Sequence, residues 1–305
     1  ARGTARAVLG AHWRRRLEQG PGPLPQLARL VGSVPAAPRG DAELVHLIDR
    51  LIAARGGAPS SAPPPAWDAP DAGPLRFFRG CANDGLLGAT SRRLLAALRH
   101  AGHTVTVPTG QDCCGALAAH TGRPGRAGTL QRRNREAFGV GGPAQGPLVV
   151  EAAGCGLELA DTLPEACGPI LDAAAALLAA PCPPRRPVPL RVAVHDPCHG
   201  RHGRGLGADL RALLGRIPDL VWCEPVEIEV CCGSGGAWGL RYPEMSATLA
   251  RRKAADLAAT GADLVVTTNP GCLGQIADGL ALERPELPIL PATDLWWYAV
   301  RSDVG

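Results

Sequence analysis

The sequence predicts an α/β fold with mainly parallel strands, arranged as two similar halves behind a helical N-terminal segment. Short apolar strands alternate with amphipathic helices from about residue 75 onward. Four cysteines recur at nearly the same spacing in two consecutive stretches. The length of 305 residues suits two domains, since a domain typically has roughly 150 residues.

In the first half, three predicted strands lead to cysteines. They cover residues 75–78, 104–107 and 148–150. The first strand is followed by a helix with leucines on one face, at 87, 94, 95 and 98, and a polar helix spans about 127–138. Strands that alternate with helices in this way are typical of parallel sheets.

The second half repeats this order. Its predicted strands cover residues 190–194, 220–222 and 264–267. A helix includes residues 210–214, and another covers 243–260, with a proline near its start and Gly261 after its end. We therefore expect a helical segment and Pro-rich linker at 1–74, a first domain at 75–186 and a second at 187–305.

Composition excludes several classes of protein. Hydrophobic residues make up 46% and charged residues 20%, as in globular chains. The net charge of +4 is too small to indicate a nucleic-acid partner. The best apolar run, residues 170–180, is too short to span a bilayer and contains Asp172. The chain starts with Ala, which indicates a processed or trimmed chain, and no signal-peptide core follows, so we expect a cytoplasmic location.

Cysteines carry most of the functional information. The sequence has eleven, and an odd number argues against a closed disulfide framework, so we expect reduced thiols. Equivalent cysteines of the two halves are 117 or 118 positions apart. The first cysteine group is Cys81, Cys113, Cys114 and Cys155, and the second cysteine group is Cys198, Cys231, Cys232 and Cys272. Three others, Cys167, Cys182 and Cys223, have no counterpart.

A duplicated group of four thiols predicts a metal site in each half. Every repeated cysteine follows a predicted strand, and loops at the carboxyl edge of a parallel sheet converge. Each adjacent pair is followed by a glycine, Gly115 or Gly233, which we expect to let the backbone approach a bulky inorganic core.

Three interpretations of these thiols are open. Four thiolates suit zinc or an iron–sulfur cluster. The short cysteine knuckles of structural zinc sites do not occur in the sequence, and adjacent cysteines fit a multi-iron cluster more easily than one tetrahedral ion. Buried structural cysteine is the third interpretation, but it does not explain the duplication.

Several motifs resemble one family. They are GC at 80–81, QDCCGALAAH at 111–120, AGCG at 153–156, HDPCH at 195–199, CCGSGG at 231–236 and NPGCL at 269–273. In these stretches the sequence resembles the iron–sulfur subunit of glycolate oxidase, the lactate-utilisation iron–sulfur protein and the cysteine-rich subunit of heterodisulfide reductase. The resemblance covers about residues 75–300, and residues 1–74 resemble the helical linker that precedes this region.

The resemblance implies two tandem CCG (cysteine-rich) domains in a pseudo-twofold arrangement. It implies that the two cysteine groups hold one or two [4Fe–4S] clusters, with zinc as an alternative in one half. A separate FAD-containing subunit would oxidise glycolate or D-lactate, and this chain would relay its electrons, on the inner face of the membrane through partners. The sequence shows no flavin or substrate motif, so we expect an electron-transfer subunit of an oxidoreductase complex.

The sequence departs from the resembled families in two ways. The ferredoxin-like cysteine runs of the glycolate oxidase branch do not occur in it, so a ferredoxin-like domain or another acceptor must exchange electrons with it. The fifth cysteine of the heterodisulfide reductase pattern is replaced by Glu158 and Gln275. This disfavours cluster-based thiol or disulfide chemistry, which stays an alternative function, as does a zinc-bound scaffold.

Histidines near the cysteines are further candidates. His120, His195 and His199 lie close to cysteines in sequence and would ligate a cluster, donate to its sulfur or move protons. The alternative is an ordinary hydrogen bond, which we favour for His202. Residues 296–298, two tryptophans and a tyrosine, suit either a partner interface or the core.

Overall fold

The computed structural model describes residues 37–58, 69–139 and 146–301. Helix α1 (Asp41–Ala54) is the described part of the predicted N-terminal helical segment and buries Leu44, Ile48 and Ile52 along one face. The rest of that segment and most of the predicted linker lie outside the described residues.

The first repeat is a four-stranded parallel sheet in the order β2-β1-β3-β4. The strands are β1 (Pro74–Phe78), β2 (Thr104–Thr106), β3 (Leu148–Val150) and β4 (Ile170–Asp172). The helices are α2 (Cys81–Leu86), α3 (Gly88–His100), α4 (Ala116–His120), α5 (Pro124–Gly139), α6 (Ala153–Thr162) and α7 (Ala173–Ala179), with a 3-10 turn at Glu165–Cys167.

The second repeat has the same topology, with strand order β6-β5-β7-β8 and every pair parallel. Its strands are β5 (Arg191–His195), β6 (Val221–Cys223), β7 (Leu264–Thr267) and β8 (Ile289–Pro291). Its helices are a π-helix (His199–Arg204), α8 (Gly207–Leu214), α9 (Ala237–Arg241), α10 (Pro243–Ala259), α11 (Pro270–Glu283) and α12 (Ala292–Val300).

All six predicted strands are present within one residue of their expected bounds, and the α/β class is confirmed. The fourth strand of each sheet, β4 and β8, was not predicted. Each has only three residues, and a run this short carries too little periodicity to be recognised. The matched topology confirms that the cysteine repeat reflects a repeated fold.

One hydrophobic core joins the two repeats. Alternate strand residues, such as Phe77 of β1 and Val194 of β5, point into it because side chains alternate across a strand. The opposite faces pack into two separate clusters, one per repeat, and these contain most of the repeated cysteines. The shared core thus lies on one face of each sheet and the cysteines lie towards the other.

The repeats also exchange their last helices. Helix α12 of the second repeat packs on α3 of the first, and α7 of the first packs on α8 of the second. These two contacts are related by an approximate twofold axis. Trp296 and Tyr298 of α12 are buried in the shared core, so the packing interpretation of residues 296–298 is correct for these two. Among the described residues, none of the helices is both long and apolar enough to cross a membrane.

Candidate metal centres

Both cysteine groups lie where the strand order of each sheet reverses. In the first sheet, β2 and β3 flank β1 on opposite sides, which opens a crevice at the carboxyl ends of the strands. Cys81 begins α2 directly after β1, and Cys155 lies in the first turn of α6 after β3. Thiolates at helix N-termini are stabilised by the helix dipole, so the fold favours negative charge at this edge.

The structure brings the first cysteine group together. Cys81 Sγ lies 3.3 Å from Cys113 Sγ, and Cys114 Sγ lies 3.4 Å from Cys155 Sγ. These separations exceed a disulfide bond of about 2.05 Å, and all eleven cysteines are free. The expected reduced state and the predicted convergence of this group are both seen in the geometry.

Hydrogen bonds between these thiols divide their charge unevenly. Donation from Cys114 and Cys81 lowers the pKa of the Cys113 thiol to about 3. The same contacts raise the pKa of Cys81 and Cys114, since each loses its proton beside an existing thiolate. A polycationic core would remove this mutual repulsion, and all four sulfurs could then ligate as thiolates.

The second cysteine group shows the same pattern. Contacts with Cys198 and Cys232 lower the pKa of Cys231 to about 2, and contact with Cys232 lowers the pKa of Cys272 to about 5. The pKa of Cys198 and of Cys232 is raised by the neighbouring thiols. The loop and helix positions repeat those of the first group, with Cys272 in the first turn of α11.

His195 is the histidine that joins a cysteine group. It ends β5, is 3% exposed, and neither of its ring nitrogens has a hydrogen-bond partner. One of its ring nitrogens and the sulfurs of Cys232 and Cys272 all lie within 4.8 Å of one another. A buried imidazole without a partner, beside soft thiolates, fits a group that supplies metal ions or sulfide at this position.

The other predicted histidines lie elsewhere. His120 is exposed at the end of α4. The ring of His199 lies against Gly154, where a Cβ atom would be 3.5 Å from it. His199 therefore contacts the segment that carries Cys155 of the opposite repeat, a placement that sequence proximity to Cys198 did not indicate.

Gly115 and Gly233 have a role different from the expected one. Both have positive φ, +98° and +88°. A Cβ on Gly115 would lie 3.3 Å from the Ala127 carbonyl oxygen, and one on Gly233 would collide with the Ser246 carbonyl oxygen. Each glycine therefore lets the cysteine loop close onto the following helix, α5 or α10, which holds the adjacent cysteines in place.

The Asn269-Pro270 turn also positions a cysteine. The amide oxygen of Asn269 is best placed towards the backbone N–H groups of Gly271 and Cys272, 3.3 Å from each, because the opposite orientation would face donors with a donor. In that orientation Asn269 caps α11 and orders the turn that carries Cys272.

The two cysteine groups face each other across the approximate twofold axis. Helix α2, which starts at Cys81, contacts α11, and the π-helix after Cys198 packs on α6. Arg204 donates 2.7 Å hydrogen bonds to the carbonyls of Gly156 and Ile170 in the opposite repeat. The segments that carry the thiols are therefore interlocked, which couples the two sites mechanically.

The positions of the missing fifth cysteines are occupied by hydrogen-bonded side chains. Glu158 accepts from Gln131 at 2.8 Å, and Gln275 donates to the Ser246 hydroxyl at 2.9 Å. The three unrepeated cysteines are buried away from the repeated positions: Cys167 in a 3-10 turn, Cys182 in the shared core and Cys223 in β6.

A family comparison agrees with this architecture. The chain matches the cysteine-rich domain model CCG twice, over residues 75–160 and 192–277. The chain belongs to this family and contains two CCG domains, as the sequence resemblance implied.

Among characterised relatives, the chain is similar to the iron–sulfur-type relatives of two reductase and oxidase complexes. One of them, from the fumarate reductase (CoM/CoB) of Methanothermobacter marburgensis, is 34% identical over 212 residues, 68% of this chain and 42% of the relative. The probable glycolate oxidase iron–sulfur subunit of Bacillus subtilis is 30% identical over 234 residues, 70% of this chain and 52% of the relative. This chain thus spans about half the length of these relatives or less.

Two further comparisons extend the likeness. Lactate utilization protein A of Oceanobacillus iheyensis is 22% identical over 72% of this chain and 95% of the relative. The crystal structure of a hypothetical protein from Helicobacter pylori superposes with a TM-score of 0.59 at 10% identity, covering 92% of this chain and 58% of that one. The structural likeness supports the fold, and the sequence relatives connect it with iron–sulfur subunits of oxidoreductases.

Proposed function

We propose that this chain is the iron–sulfur electron-transfer subunit of a flavin-dependent complex that oxidises a 2-hydroxyacid, glycolate or D-lactate. The observation that carries the proposal is the pair of four-thiol groups that face each other at the carboxyl edges of two matched sheets. In this proposal the first cysteine group and the second cysteine group each ligate a cluster of the [4Fe–4S] type.

The donor set supports this assignment. Each group supplies four sulfurs that are close enough to share protons, at helix N-termini that favour thiolates. A bound cluster would supply a one-electron couple, whose potential follows burial and hydrogen bonds to sulfur. The chain's own contribution is to hold the thiolates, exclude water and orient His195 towards the second group.

The partner assignments belong to the same proposal. An FAD-containing dehydrogenase subunit would deliver electrons, and a ferredoxin-like domain or another acceptor would remove them. The relatives named as a glycolate oxidase iron–sulfur subunit and as lactate utilization protein A support the 2-hydroxyacid class. A cytoplasmic location with peripheral membrane attachment through partners, and domain boundaries at residues 74 and 186, complete it.

A second candidate function is cluster-based thiol or disulfide redox chemistry. The relatives that belong to a fumarate reductase (CoM/CoB) and to a CoB–CoM heterodisulfide reductase favour it. The hydrogen-bonded Glu158 and Gln275 at the fifth-ligand positions weigh against it, since neither replaces a thiolate. Reduction of a disulfide substrate by the loaded chain would raise this candidate above electron relay.

The deciding experiment measures iron, acid-labile sulfide and zinc per chain after anaerobic purification, followed by EPR of the reduced protein. The proposal predicts about four iron and four sulfide per loaded group. Cys155→Ala should remove the iron of the first group and Cys272→Ala that of the second, whereas Cys182→Ala, outside both groups, should remove none. Zinc without sulfide, bound in part through His195, Cys232 and Cys272, would instead indicate a zinc-bound scaffold.

A further inference from the structure

Glu151 is a buried carboxyl group beside the first cysteine group. It follows β3 directly and precedes Cys155 by four residues. Its side chain is 5% exposed. A carboxyl group in such a position is costly unless it is paired with a cation or protonated.

The hydrogen bonds of Glu151 lack one hydrogen. Its Oε2 accepts from Asn83 Nδ2 at 2.9 Å and from the Ser91 hydroxyl, both of which are neutral donors. Its Oε1 is buried without a partner, and so is Oδ1 of the same Asn83 side chain. Two unpartnered acceptors on side chains that already share a hydrogen bond indicate a missing donor, and a proton on Oε1 would supply one.

The charges around Glu151 favour a proton over a metal ion. Asp172, at the end of the neighbouring strand β4, and Asp294 on α12 both act on it as negative charges. The nearby cation Arg93 on α3 is bound to Asp294 at 2.9 Å and to Asp41 at 2.8 Å. Cys155 on α6 and Cys81 on α2 are the titratable groups on the remaining elements around it. Within the described ranges, these carboxylates do not form a metal-binding group.

We propose that Glu151 is the proton acceptor for electron transfer at the first cysteine group. It takes up one proton from solvent when the site gains one electron from a one-electron donor, and it releases the proton when the electron leaves. The inference rests on the proposed iron–sulfur loading of the first repeat. The added negative charge of the reduced site makes proton binding at Glu151 more favourable, and the proton in turn stabilises the reduced site.

A path for the proton is present at the boundary between the repeats. A cavity there is lined by Asp172 together with Asp196, Arg201 and Thr268 of the second repeat. Asp172 therefore has neighbours on two sides, the cavity and Glu151, and can pass a proton between them. Burial raises the pKa of Glu151 to about 7 and that of Asp172 to about 6, so both groups exchange protons near neutral pH.

The test is the pH dependence of the reduction potential of the first site, followed by EPR in anaerobic titrations between about pH 5 and pH 9. Between the pKa of Glu151 in the oxidised protein and its higher pKa in the reduced protein, reduction binds one proton. In that range the reduction equilibrium should fall tenfold per pH unit, which is about 59 mV for one electron. Glu151→Gln should abolish the slope, whereas Glu136→Gln, at an exposed position of α5, should keep it.

Two further readouts protect the test against a variant that loads poorly. Ser91→Ala removes one hydrogen bond to Glu151 but keeps the carboxyl group, so the slope should begin at higher pH. Redox-difference infrared spectra should show a protonated carboxyl group appearing on reduction in the wild type and absent from Glu151→Gln. A loaded first site with a flat potential, or an unchanged slope in Glu151→Gln, overturns the inference but leaves the proposed function intact. A chain without iron and sulfide overturns both.

Discussion

Replacing Glu151 by Gln should stabilise the protein, and by more at high pH than at low pH. Burial raises the pKa of Glu151 from its ordinary value of 4.5 to about 7 in the folded chain. The carboxyl group is protonated in both states at low pH and imposes no cost there. As the pH rises through the unfolded value, the unfolded chain ionises first, and folding loses stability until about pH 7. The full difference corresponds to about 3 kcal/mol above that pH.

The assay is urea denaturation of wild type and Glu151→Gln at matched iron content, at about pH 5 and pH 8.5. The variant should gain up to about 3 kcal/mol at the higher pH and less than about 1 kcal/mol at the lower one. Glu136→Gln, an exposed change of the same kind, should alter stability by less than about 0.5 kcal/mol at both. Equal gains for Glu151→Gln at the two pH values, or a loss at pH 8.5, would refute the reasoning that ionised Glu151 is held at a cost.

Two other substitutions test the packing that supports the sites. Arg93→Met should destabilise the chain by about 3–5 kcal/mol in urea denaturation, because Asp294, 0% exposed, loses its cation; the exposed Arg92→Met should cost under about 0.5 kcal/mol, and equal costs would contradict this. Gly233→Ala should lower the metal content of the second site, since its Cβ meets the α10 backbone. Gly261→Ala also has positive φ but open space around it, so it should cost about 1–2 kcal/mol without metal loss; equal metal loss in both would assign the effect to backbone strain.

Most of the sheet could be predicted because its central strands are apolar runs that lead to cysteines. Residues 148–150 and 264–267 are buried on both faces, as expected for parallel strands covered by helices. The edge strands β4 and β8 escaped prediction because each is three residues long and ends in a cap residue of the following helix, Asp172 or Pro291. Their identity depends on pairing with β3 and β7, which is a tertiary contact.

The cysteine groups were predictable, whereas their surroundings were only partly so. Cysteine spacing alone grouped Cys81, Cys113, Cys114 and Cys155, and their sulfurs do converge. The neighbours of each group depend on which helices meet across the twofold axis, and sequence distance does not contain this. Glu151 was missed for that reason, although one signal was present: a charged residue directly after the apolar run Leu-Val-Val, where the second repeat has threonine.

The two sites differ chemically at two matched positions on strand ends. Three residues before the first cysteine of each group, the first repeat has Phe78 and the second has His195. After the Leu-Val-Val run, the first repeat has Glu151 and the second has Thr267. An ionised carboxylate opposes reduction of a nearby cluster, whereas an imidazole that donates to sulfur favours it. We therefore expect the second site to have the higher potential above about pH 7, where Glu151 is ionised. Electrons would then pass from the first site to the second, and a redox titration that resolves both EPR signals would contradict this if the order were reversed.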